Sequence, residues 1–270
     1  MLETMPRTGQ QQPTAEQGPE LSLIMPCYNE QDVIPYTIPQ LCAAFAEAGH
    51  RLELVACDNG STDRTTEVIR EFVEQGLPVV YHRVERNEGY GNGVLNSIPV
   101  CTAPWIGIIP ADGQTDAEDV ARLFDAVKHT EGLVMGKVRR RFRMDGVTRK
   151  IVSIAYNLFV FALWPRLGSI DVNGSPKILQ RRVLERMDLQ SKQWFLDPEI
   201  MVKAHYMGVR VIEMNVFARM RGNGLSHIRS STCWEFFSNL LGFKFGRGLA
   251  RWRRGLAESP IRSEAAGSSR

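Results

Sequence analysis

An α/β architecture with a Rossmann-like, mostly parallel sheet is what this sequence predicts, on three observations. Four short apolar runs, residues 21–25, 52–57, 79–84 and 105–109, alternate with stretches of helical periodicity, as repeated βα units do. Each run stops at a polar cluster of carboxylate and amide side chains, and three of the four clusters also carry glycine. In an open parallel sheet the ligand crevice lies off the carboxyl ends of the strands, so these clusters are expected to meet at one edge.

Taken in order, residues 1–20 are rich in Gln, Pro, Thr and Gly without periodicity and read as a disordered tail. LSLIM (21–25) is the first strand and ends at PCYNE (26–30). Asn29 is the expected cap of a helix to about Ala48, with Pro35 in its opening turns, Pro39 marking a kink or a late start, and Gly49 closing it. The second strand, 52–57, ends at DNGSTD (58–63), and Val68, Ile69, Phe72 and Val73 then recur at helical spacing until Gly76. The third, 79–84, runs into RNEGYGNG (86–93) and a short helix to about Val100. WIGII (105–109) breaks at Pro110 into ADGQTD, where Thr115 with Glu118 reads as a capping box for the helix of Val120, Leu123, Phe124 and Val127. A strand over 133–138 leads into Arg139, Arg140, Arg141 and Arg143.

Composition bounds the function classes. The 270 residues suit one large α/β domain, and a net charge of +3 gives no global field for nucleic acid. The five cysteines, Cys27, Cys42, Cys57, Cys101 and Cys233, are widely spaced without metal-ligand spacing, which predicts reduced thiols rather than staples or zinc. No signal sequence opens the chain. The longest apolar stretch, 151–164, is interrupted by Ser153 and Asn157 and is shorter than the roughly 20 residues of a membrane span. A cytoplasmic protein is expected.

Together, MPCYNE, DNGSTDRT, RNEGYGNGV and PADGQTD, followed in order by RKIVSIAYN, DVNGSPKIL, WFLDPEI and ARMRGNGLSHI, resemble the family 2 inverting glycosyltransferases of the GT-A fold. The likeness is closest to the dolichyl- and polyprenyl-phosphate mannose synthase-like branch and runs from about Leu21 to about Arg229. Two positions depart from the family pattern: Pro110 stands for the first Asp of the D-x-D-x-Q metal motif, and Asn59 for the second carboxylate of D-D-G-S.

The resemblance implies roles for individual residues. Pro26, Tyr28 and Glu30 would flank the nucleoside of a nucleotide-sugar donor, and Asp58 would accept a hydrogen bond from its base. Asn87 and Gly91 would let backbone approach the donor. Asp112, assisted by Gln114, would bind Mg²⁺ or Mn²⁺ at the donor diphosphate, with dependence on the metal put in question by Pro110. Asp197 and Glu199 stand where the family places an acceptor-side acid, and Arg139, Arg219 and Ser226 would grip an acceptor phosphate, joined by Arg221, His227 and Lys177. Each residue also has a plain structural reading. Glu30 suits a helix first turn, Gly91 a turn, and Asp197 a cap ahead of Pro198.

Beyond the domain, Trp234, Phe237, Leu241, Phe245, Leu249 and Trp252 step by three and four beside Lys244, Arg247, Arg251 and Arg254. That pattern predicts an amphipathic helix lying on a membrane surface, or equally one packed on the core. The expected organisation is therefore a tail (1–20), a GT-A domain (21–230), the amphipathic helix (231–255) and a second tail (256–270). The expected activity is inverting transfer of a sugar to a polyprenyl phosphate at the cytoplasmic face of a membrane, in cell-envelope glycan chemistry. A glycan or small-molecule hydroxyl is the alternative acceptor, and a non-catalytic nucleotide- or lipid-binding relic the alternative of another class. An oxidoreductase is set aside because G-x-G-x-x-G does not follow the first strand. A homo-oligomer or a membrane-protein partner is left open.

Overall fold

The computed structural model describes residues 18–142, 147–169, 171–217 and 230–258. Within them β1 (Leu21–Cys27), β2 (Leu52–Asp58), β3 (Val79–Arg83), β4 (Trp105–Ile108), β5 (Val134–Phe142), β6 (Lys177–Gln180) and β7 (Arg210–Phe217) form one sheet in the order β3-β2-β1-β4-β6-β5-β7. The four strands of the sequence-predicted βα units pair in parallel, with Leu21 opposite both Leu52 and Trp105. β6 runs antiparallel between β4 and β5, and β7 is parallel to β5. Two reversals restore the direction, so β5 and β7 end at the same edge as β1–β4, and β6 begins there.

Helices cover both faces. On one side α1 (Ile34–Glu47), α2 (Thr65–Glu74) and α4 (Ala117–Lys128) bury Ile34, Leu41, Phe45, Ile69, Phe72, Leu123 and Phe124 against the sheet. On the other lie α3 (Tyr90–Ser97), α5 (Val147–Leu163), α6 (Arg181–Arg186), α7 (Leu196–Tyr206), α8 (Ser230–Phe245) and α9 (Arg247–Glu258), packed around Val160, Trp164, Leu196, Ile200, Leu240 and Leu249. Strands covered on both faces read as continuous apolar runs, which is why β1 is buried at every position.

Several local expectations are corrected. Asn29 does not cap α1, which starts at Ile34 behind Val33 with Pro35 in its first turn and Pro39 accepted inside it. Asp116, not Thr115, caps α4, its side chain accepting from the Glu118 N–H (3.1 Å). Gly18–Glu20 belong to the fold: the Arg51 guanidinium donates to Gly18 O (2.8 Å) and the Glu20 N–H to Arg51 O (2.8 Å). The expected C-terminal helix is two helices parted at Gly246, where a Cβ would fall 2.3 Å from Gly242 O. Part of its apolar stripe is core. Phe237 meets Phe159, Leu249 is buried, and the Trp252 indole donates to Arg186 O (3.2 Å). No helix among the described residues is long and apolar enough to cross a membrane.

Candidate active site

Cys27 pairs with Asp58 across β1 and β2, so the loops that follow run side by side. Asn29, held at φ 55°, spans the gap: its Oδ1 accepts from the Thr62 N–H (2.9 Å) and its own N–H donates to Ser61 Oγ (3.1 Å). The Glu30 N–H donates to Thr65 Oγ1 (2.9 Å) and the Arg64 N–H to Gln31 Oε1 (2.9 Å). Beneath them Asp58 is fully buried, its Oδ1 accepting from the Ser61 N–H (2.8 Å) and its Oδ2 from Arg83 (2.9 Å) and the Thr66 hydroxyl. Both oxygens are engaged within the chain, so Asp58 ties its own loop to β3. Tyr28, 46% exposed, stands open at the end of β1, while Pro26 packs beneath, within reach of a Cβ at Gly93.

The β3 loop joins this frame through Asn59, the residue that departs from the family pattern. Its Nδ2 donates to Gly89 O (3.0 Å) and Asn87 Oδ1 (3.3 Å), and Asn87 Oδ1 also accepts from the Gly89 N–H (2.8 Å). A carboxylate at 59 would face two acceptors, so Asn59 and Asn87 are matched to each other. At Gly91 a Cβ would fall 2.1 Å from Ser191 O, so the glycine admits the segment ahead of α7. That segment is tied down by Asn92 N–H to Lys192 O (2.8 Å) and Gln193 Nε2 to Glu88 O (2.7 Å).

At the end of β4, Asp112 forms a tight turn, its Oδ1 accepting from the Gln114 N–H (3.1 Å), and both residues are partly exposed. Thr115 Oγ1 donates to Ser175 O (3.4 Å), linking this turn to the loop before β6. No group of three or more His, Cys, Asp or Glu arranged for a metal occurs among the described residues. One carboxylate and one amide are hard oxygen ligands too few for a resident ion, yet they fit Mg²⁺ or Mn²⁺ that arrives on a diphosphate supplying the remaining oxygens.

The β5 and β6 side of the edge is built on buried charge. Lys137 and Lys177 are opposite one another across β5 and β6, hence on one face, and both are fully buried. Lys177 pairs with Asp197, and Lys137 donates to Ser169 Oγ (3.1 Å) and Glu213 Oε1 (3.1 Å). Burial, and then the neighbouring Lys177, push the Lys137 pKa down, against Asp171 and Glu213, which raise it. Asp197 lies inside the first turn of α7, with Phe195 at the cap position, which corrects its reading as the cap. Two positions on, Glu199 faces elsewhere on the helix, 1% exposed, bonded to Lys203 Nζ (2.6 Å) and the Ser191 N–H (2.8 Å). Glu199 therefore anchors the segment ahead of α7.

Arg139, half-buried, follows Lys137 by two positions toward the same edge. Arg219, Arg221, Ser226, His227 and Arg143, with the side chains of Arg140 and Arg141, lie outside the described residues. The described cysteines are free and buried, and burial pushes the Cys57 thiol up to about 11 and Cys101 to about 12, so neither is a thiolate nucleophile. The buried lysines Lys137 and Lys203 carry no sequence signal of their own. Only the strand register and the helix spacing, once known, would have paired them.

A family model described as glycosyl transferase family 2 matches residues 22–187. The dodecaprenyl-phosphate galacturonate synthase of Rhizobium johnstonii is 27% identical over 235 residues, covering 85% of this chain and 68% of that protein. The undecaprenyl-phosphate 4-deoxy-4-formamido-L-arabinose transferase of Klebsiella pneumoniae is 32% identical over 143 residues, covering 52% of this chain and less than half, 43%, of that protein. Among solved structures, glucosyl-3-phosphoglycerate synthase from Mycobacterium tuberculosis, in complex with Mn²⁺, UDP and phosphoglyceric acid, superimposes with a TM-score of 0.65 at 18% identity over 85% of this chain and 79% of that one. The chain belongs to glycosyl transferase family 2: it is a glycosyltransferase built on the GT-A fold.

Proposed function

We propose that the chain moves a sugar from a nucleotide-sugar donor to a polyprenyl phosphate, with inversion, at a membrane surface. The single observation that carries the phosphate acceptor is that both acceptor-side carboxylates are bound to lysines, Asp197 to Lys177 and Glu199 to Lys203. A hydroxyl acceptor needs a free base; a phosphate is already an anion and needs none. Two relatives named for dodecaprenyl and undecaprenyl phosphate support the same choice.

In this reading Tyr28 and the zipped β1 and β2 loops receive the nucleoside, and Asp112 and Gln114 meet the diphosphate. A divalent ion bound there with the donor would offset charge on the departing nucleoside diphosphate. One acceptor oxygen forms the new bond to the anomeric carbon as the bond to the β-phosphate oxygen breaks on the opposite side. Arg139, with Arg219 and Ser226, holds the acceptor phosphate. The membrane contact is an exposed apolar face: Ile154, Leu158 and Phe161 on α5 beside Leu241 and Phe245 on α8, with exposed Arg247, Arg251 and Arg254 on α9 nearby.

The test is a screen of UDP-, GDP- and dTDP-sugars with polyprenyl phosphate in anionic vesicles, with and without Mn²⁺, counting sugar in the lipid phase. Asp112→Ala should lower turnover by about 10²–10³ without changing the melting temperature. Near-native turnover by that variant would remove Asp112 from the site, and donor binding without transfer to any acceptor would favour the non-catalytic reading.

A further inference from the structure

Trp194 is an exposed indole, 55% accessible, directly after a segment pinned at Ser191 and Gln193. It is stacked face to face on Tyr90, with ring centroids 4.8 Å apart and planes 6° from parallel. Tyr90 is 9% exposed, and its hydroxyl oxygen is buried without a hydrogen-bond partner. The Ser175 hydroxyl is its neighbour. It lies close enough to favour the phenolate, but the two do not meet in hydrogen-bond geometry, and Ser175 Oγ is also buried and unpartnered. Asp197 and Asp112 both lie near enough to act on the Tyr90 hydroxyl. Two unsatisfied buried hydroxyls are costly unless something else bonds them. Ser175 links the Asp112 turn to Asp197, its carbonyl accepting from Thr115 of that turn and its chain running two residues on to Lys177, the partner of Asp197.

We propose that Trp194, Tyr90 and Ser175 form the subsite for the donor's sugar ring, a reading that rests on the proposed glycosyl transfer. A pyranose offers an apolar C–H face and a rim of hydroxyls. The open face of Trp194, backed by Tyr90, matches the first, and the two unpartnered hydroxyls match the second. A site built to bond substrate hydroxyls rejects analogues lacking them far more strongly than an apolar pocket does. Tyr90 and Ser175 therefore select the sugar, and the stack positions it.

Calorimetry on the full chain with UDP and UDP-glucose, and with GDP and GDP-mannose, separates the sugar from the nucleotide. Tyr90→Phe should weaken the nucleotide-sugar about tenfold and leave the nucleoside diphosphate unchanged, while the melting temperature of the ligand-free protein holds or rises because an unpaired hydroxyl has been removed. Trp194→Ala should show the same split, with Trp194→Phe restoring part of it. Unchanged nucleotide-sugar affinity in both Tyr90→Phe and Trp194→Ala overturns the inference and leaves the glycosyl-transfer reading standing. Equal weakening of nucleotide and nucleotide-sugar overturns it in favour of a base platform, and a fall in melting temperature for Tyr90→Phe makes the hydroxyl structural. If the native chain binds neither nucleotides nor nucleotide-sugars, both readings fall together. Should Trp194→Ala not fold, Tyr90→Phe alone decides.

Discussion

The β3-β2-β1 end of the sheet and the β6-β5-β7 end meet the same demand, polar groups at a buried edge, with different chemistry. At the first, Asn29, Asn59 and Asn87 satisfy backbone groups of neighbouring loops over short distances, and Asp58 with Arg83 is the main charged contribution. At the second, Lys137 and Lys177 are fully buried beside one another, and Lys203 lies buried on α7, each tied to a carboxylate. Neutral turns of this kind preform a pocket at little desolvation cost. Buried ion pairs give up hydration, and each becomes fragile once one partner is removed. Single changes should therefore cost less at the β3-β2-β1 end than at the β6-β5-β7 end.

The largest effect should come from breaking the β6-β5-β7 end. Lys177→Met leaves Asp197 buried and unpaired and should cost about 3–5 kcal/mol in urea denaturation, with the Lys177→Met/Asp197→Leu pair recovering most of it. A loss below about 1 kcal/mol would mean that the pair is solvated and the contrast false. At the β3-β2-β1 end, Asn59→Asp restores the family's letter but sets a carboxylate against Gly89 O and Asn87 Oδ1. It should cost about 1–3 kcal/mol of stability and weaken nucleoside diphosphate binding. Tighter nucleotide binding would show that position 59 serves the ligand directly.

The smallest effect lies outside both ends. Burial, then Lys128, hold the His50 pKa below 6.5, against Asp125 and Glu20. Below about pH 6.5 the unfolded chain takes up the proton first, so stability is lost as pH falls from there to the lower folded value. His50→Gln should flatten that part of the stability profile, and an unaltered slope would assign it to other groups.

Most of the parallel half was legible in the sequence, because strands covered on both faces read as apolar runs and their ends as Gly, Asn and Asp. Asp112 and Gln114 fell at a strand end for that reason. What stayed hidden was pairing. β6 is only KILQ, and nothing local says that it runs antiparallel. Lys137 carries no signal and Lys177 stands only among phosphate-gripping candidates until register sets them side by side inside, and the partners of Glu199 follow only once helix spacing places Lys203 beside it. The stripe from Phe237 to Trp252 was visible, but the break at Gly246 and the packing of Leu249 send half of it inward. The exposed face is instead shared with α5.

That division of labour is tested most directly by charging the exposed face and reading both ends at once. In Leu158→Glu/Phe161→Glu/Phe245→Glu, calorimetry with nucleoside diphosphate and transfer to polyprenyl phosphate in anionic vesicles are measured on the same preparation. The account predicts native nucleotide affinity with vesicle binding and lipid transfer lost. Transfer that persists at the native rate, or nucleotide affinity that falls in step with it, would contradict it.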